Sequence, residues 1–148
     1  VENTTDPLTS LCGTPIDVRT RADAIANGTQ IEAPAEFVDR ADLLAHVTLT
    51  ADAWGRYVTW TNEDSDRTGV LLQDSDDRLM DILRALAAGI HRAGPLNRVE
   101  SLRFRVACFR RDVVFGPDDD QDPSEVELEA LFGRGADGGH LITVHEPR

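Results

Sequence analysis

The sequence predicts a single α+β domain, on the strength of one amphipathic stripe and the alternating segments that follow it. In SDDRLMDILRALAAGIHRA, residues 75–93, Leu79, Ile82, Leu83, Leu86 and Ile90 share one helical face. Downstream, residues 101–109 place Leu102, Phe104, Val106 and Cys108 on one side of a strand, with Arg103 and Arg105 on the other. Residues 125–132 repeat the pattern, with Val126, Leu128 and Ala130 against Glu125, Glu127 and Glu129, and HLITVH at 140–145 forms a last strand. The expected architecture is an antiparallel sheet of three or more strands packed against the central helix, with short helices N-terminal to it. Leu79, Leu83, Leu86, Phe104, Val106, Leu128 and Ile142 are the expected shared core.

Residues 1–14, rich in Thr, Ser, Asp, Gly and Pro, predict a flexible N-terminal arm, and residues 15–148 the folded domain. Ile16 and Val18 alternate as a short strand, Thr20 and Asp23 suit a helix start, and Asn27-Gly28 suits its end. Residues 30–33 are extended, and Pro34 opens a helix carrying Phe37, Val38, Ala41 and Leu44. His46 to Leu49 alternate briefly, and Thr50 can cap a helix in which Trp54 and Val58 lie four apart. TNEDSDR, residues 61–67, is expected to be a solvated polar loop, because it lacks the glycine and terminal glutamate of a calcium loop. Ser75 can cap the long helix, and Gly94-Pro95 stops it. If strands 102–108 and 125–131 are neighbours, an arginine row faces a glutamate row across the open side.

Composition narrows the chemistry. The formal net charge is −12, with no lysine at all, so Schiff-base catalysis and a P-loop lysine are excluded. Such acidity repels DNA phosphates and anionic lipid heads, and no apolar run approaches the ~20 residues of a membrane span. Neither direct nucleic-acid binding nor membrane association is expected. The chain start has no basic and apolar leader pattern, which gives a cytoplasmic expectation. Cys12 and Cys108 form no ligand pair: Cys108 is expected as a buried apolar residue and Cys12 as a free thiol.

Four histidines, His46, His91, His140 and His145, lack ligand spacing, and the last two point to opposite strand faces, so no metal site and no cofactor are expected. There is no nucleophile elbow, and GRGADGG joins two strands, whereas phosphate-cradling loops open a helix. No catalytic residue is assigned, and a non-enzymatic role is expected. Two charged sets remain. FGPDDDQDPSE, residues 115–125, gathers Asp118, Asp119, Asp120, Asp122 and Glu125 in an exposed acidic loop able to attract a basic protein surface. Arg19 and Arg21 beside a helix start, and Arg103 and Arg105 on a strand, are candidate anion-binding residues.

Taken in order, TRADAIANG, LTADAW, the mid-chain helix, LRFRV and the closing LITVHEP resemble a family of short proteins, without an assigned activity, from high-GC bacteria and their phages and plasmids. Val18 stands here in place of that family's usual aromatic residue. The resemblance implies a small α+β domain and a mobile-element association, and transfers no catalytic residue. The expected function is that of a small acidic accessory protein binding a basic partner, as a nucleic-acid mimic or anti-defence factor. The alternative is a small-molecule-binding domain or hydrolase with a pocket between helix and sheet.

Overall fold

A computed structural model describes residues 23–70, 73–94, 100–111, 114–116, 118–135 and 138–147. The expected arm at 1–14, the strand at 16–18, and Cys12, Arg19 and Arg21 lie outside the described residues. Residues 23–26 are helical and end at Asn27-Gly28, where Gly28 adopts a φ of 82° that a side chain would disfavour. Among the described residues five strands follow: β1 (Gln30–Glu32), β2 (His46–Thr50), β3 (Ser101–Cys108), β4 (Ser124–Arg134) and β5 (His140–His145). The helices are α1 (Ala35–Arg40), α2 (Ala51–Ala53) running into a π-helical turn at Trp54–Val58, α3 (Asn62–Thr68) and α4 (Ser75–Ala93).

The strands form one sheet in the order β1-β2-β5-β4-β3. The architecture is α+β as expected, and every neighbouring pair is antiparallel except β2 and β5, which run parallel. β5 lies between β2 and β4, antiparallel to β4 and parallel to β2. Being central, both strands are buried over most of their length: Val47, Thr48 and Leu49 in β2, and Leu141, Ile142, Val144 and His145 in β5.

The α4 stripe covers the inner face of β3, β4 and β5. Leu79, Leu83, Leu86, Phe104, Val106, Leu128 and Ile142 are all buried in one cluster, joined by Phe37 and Val38 of α1 and by Val58. The helix lies so close that a Cβ at Gly89 would sit 3.1 Å from Leu102 Cδ2. On the open face Arg103 pairs across the ladder with Glu129, and Arg105 with Glu127. The side chains lean diagonally as well: Arg103 reaches Glu127 and Glu129 at 3.6 and 3.7 Å, and Arg105 reaches Glu125 at 3.2 Å. The expected charge rows therefore serve the sheet.

Two helix starts differ from expectation. Asp74, one residue before Ser75, caps α4 by accepting from Asp77 N at 2.8 Å, and Ser75 Oγ instead accepts from Trp60 N at 2.8 Å. Residues 61–67 are no solvated loop. Thr61 and Asp64 close a capping box, with Asp64 N donating to Thr61 Oγ1 at 3.1 Å and Thr61 N to Asp64 Oδ2 at 2.9 Å. Gly69, at φ 82°, terminates α3.

Candidate functional site: an arginine-lined pocket

The site begins with Thr50, whose Oγ1 accepts from Ala53 N at 3.2 Å and starts α2. The helix then widens: Thr59 N bonds Trp54 O at 2.9 Å, five residues back. A widened turn of this kind frees carbonyls that an α-helix would use, and such turns recur at functional sites. Two of these carbonyls are taken by arginines from distant elements. Arg111 Nη1 donates to Gly55 O, and Arg78 Nη2 donates to Arg56 O, each at 2.8 Å.

Arg78 is only 2% exposed, although it sits on α4 among the core residues. Besides Arg56 O it donates from Nη1 to Phe109 O, and its guanidinium lies 4.9 Å from the centre of the Trp60 ring. Burial pulls its pKa below the ordinary arginine value, while the Cys108 side chain beside it acts in the opposite direction. Burial likewise pushes the Cys108 thiol up, against the nearby Arg78 and Arg110 charges. Cys108 is thus the buried apolar thiol the alternation suggested.

Asp64, 1% exposed, anchors the other side. Its Oδ1 accepts from Arg67 Nη2 at 2.5 Å and its Oδ2 from Arg111 Nε at 2.9 Å. Burial alone would raise its pKa. The Thr61 amide and the two guanidinium groups outweigh that penalty and hold the carboxyl well below the usual carboxylate range. Arg67 Nη2 also donates to Arg111 O at 2.7 Å, so the two arginines are fixed to one another as well as to the acid.

Gly55, Arg56, Tyr57, Arg67, Arg110 and Arg111 together line a pocket of about 650 Å³. The volume lies within the roughly 300–1,000 Å³ of small-molecule sites. Two carboxylates adjoin its wall. Asp64 holds Arg67 and Arg111 from behind, and Glu146 Oε2 accepts from Arg56 Nη1 at 2.9 Å and from the Tyr57 hydroxyl at 3.2 Å. Burial, and then the Glu146 charge, raises the Tyr57 pKa, so the phenol stays a hydrogen-bond donor at neutral pH. Among the described residues, Arg67 Nη2 and Arg111 Nε and Nη1 carry the contacts that fix these two guanidinium groups at the pocket.

The charged sets expected from sequence lie elsewhere. Arg103 and Arg105 are engaged with Glu125, Glu127 and Glu129 on the open sheet face. Asp118, Asp119, Asp120, Asp122 and Glu125 are all exposed. The loop of the four aspartates is tied down by Gly116 N donating to Asp119 Oδ2 at 2.7 Å and by Gln121 Nε2 donating to Gly69 O at 2.8 Å, and Glu125, expected in the same loop, belongs instead to β4. His145 is buried, with Nδ1 2.6 Å from Glu146 O and Nε2 3.3 Å from Glu129 Oε1. No three His, Cys, Asp or Glu side chains among the described residues gather in a metal-holding cluster. No helix among them is long and apolar enough to cross a membrane. Comparisons of the chain with family models, with curated proteins and with solved structures found no match.

Proposed function

We propose that the protein is a binding domain for a small organic anion, held in the pocket between the π-turn, α3 and the segment after β3. The observation that carries this reading is the gathering of Arg56, Arg67, Arg110 and Arg111 on one cavity in a chain of net charge −12. Arginine forks suit carboxylate and phosphate oxygens, and Asp64 preorganises two of the four, which lowers the ordering cost of binding. The surrounding acidity favours a small ligand over a polyanion, whose further charges would meet repulsion outside the pocket. No nucleophile or general base is required for this role.

The test is a thermal-shift screen of phosphate, citrate and nucleoside monophosphates against chloride at matched ionic strength, followed by calorimetry of any anion that stabilises. Arg56→Gln serves as the test variant, because the Arg56 side chain lines the pocket, is 68% exposed and stands outside the Asp64 network. Binding that is weakened at least several-fold in this variant supports the reading. Stabilisation that is equal for all salts, or indifferent to Arg56, refutes it.

The exposed acidic loop supports a second reading, in which the protein docks a basic partner surface as a nucleic-acid mimic or anti-defence factor. Asp118, Asp120 and Asp122 project into solvent from a loop pinned at Gly116 and Gln121, while Glu125 lies at the start of β4 beside Arg105. Neutralising Asp118, Asp119, Asp120 and Asp122 to Asn leaves folding intact on this reading. It weakens capture of a polyarginine peptide and flattens the salt dependence of that capture. Unchanged capture removes the loop from the functional account.

A further inference from the structure

Behind Tyr57 lies a second, much smaller cavity of about 10 Å³, between α4 and β3, lined by Gln73, Arg78, Asp81 and Cys108 among others. Two buried donors on this wall, Arg78 Nε and Gln73 Nε2, have no hydrogen-bond partner among the described residues. An orphaned guanidinium N–H is costly to bury, and native proteins satisfy such groups with protein or ordered water. We propose that this cavity is a binding site for one ordered water molecule, which accepts from Arg78 Nε and Gln73 Nε2 and donates to the Asp81 carboxylate.

Size and polarity select the occupant. A single water needs about 10–15 Å³ and two to four polar partners, which this cavity supplies. Two donors alone would also suit a chloride ion, but the Asp81 carboxylate on the same wall repels an anion and accepts from water. Asp81 is an exposed residue of α4, and the desolvation of its carboxylate on the protein side raises its pKa. The site has a structural consequence for its larger neighbour. Arg78 already holds Arg56 O and Phe109 O, so a water on its third nitrogen fixes the guanidinium that supports the back of the arginine pocket. The inference stands whether or not that pocket binds an anion.

A crystal structure at about 1.5 Å, grown with bromide in place of chloride, tests the proposal. The expected result is a water peak within about 3.2 Å of Arg78 Nε and Gln73 Nε2, without anomalous signal. An anomalous bromide peak there would identify an anion and overturn it. So would a Gln73 amide turned to place Oε1 directly on Arg78 Nε with no density between them. Gln73→Leu gives an independent readout, since the apolar side chain fills the cavity and leaves Arg78 Nε unsatisfied. Its melting temperature is expected to fall by several degrees, and an unchanged or higher value overturns the water's role.

Discussion

Replacing Asp64 with Asn removes the buried carboxylate that ties α3 to Arg111 in the segment after β3, while leaving the side-chain volume almost unchanged. The carboxylate accepts from Thr61 N, Arg67 Nη2 and Arg111 Nε, using both oxygens. An Asn amide offers a single acceptor oxygen and turns its NH2 group toward at least one of these donors. Breaking a buried ion pair costs about 3–5 kcal/mol, but the Arg67 and Arg111 side chains are 49% and 35% exposed and regain hydration. The expected loss is therefore about 2–4 kcal/mol, read as the difference in unfolding free energy by urea titration at pH 7. The loss must also depend on pH. The folded pKa of Asp64 lies below its unfolded value of about 3.9, so its contribution is complete above that value and fades as the pH falls toward the folded pKa. The gap between wild type and Asp64→Asn should thus narrow as the pH is lowered from 5 to 3 (assay points). A gap under about 0.5 kcal/mol at pH 7, or one constant over that range, would refute the reasoning.

Two further substitutions probe the packing that positions the site. Leu83→Ala, at a fully buried position on α4, should cost about 2–5 kcal/mol in the same titration, and an unchanged midpoint would mean that α4 does not cover the sheet. Gly89→Leu should cost about 1–3 kcal/mol despite its better helix propensity, because its Cβ alone meets Leu102 at 3.1 Å; a stabilised variant would show that the helix and β3 are further apart.

The parts legible in the sequence are those whose partners are near in sequence or repeat with a short period. The α4 stripe and the β3 and β4 alternations read directly, and even the Arg-to-Glu pairing across them followed from the strands being neighbours. The parallel pairing of β2 with β5 left no local sign, because Val47 meets Ile142 only through the whole intervening fold. The pocket was hidden for the same reason. Asp64 and Arg111 are distant in sequence, and Asp64 sits in a polar run that looks solvated until its capping box with Thr61 is noticed. A T-x-x-D spacing was the available signal for α3. Arg78 carried another: it falls four residues before Ile82 and eight before Leu86, on the buried side of the stripe, where a cation needs a partner.

The central claim is that the arginine pocket receives an anion, and an NMR titration tests it most directly. Arginine side-chain Nε–Hε resonances are followed as inorganic phosphate is added at constant ionic strength. The account predicts saturable shifts at Arg56, Arg67, Arg110 and Arg111, with Arg103 and Arg105, engaged with glutamates on the open sheet face, unmoved. Shifts that are linear in phosphate and spread over all exposed arginines, or confined to Arg103 and Arg105, would contradict it.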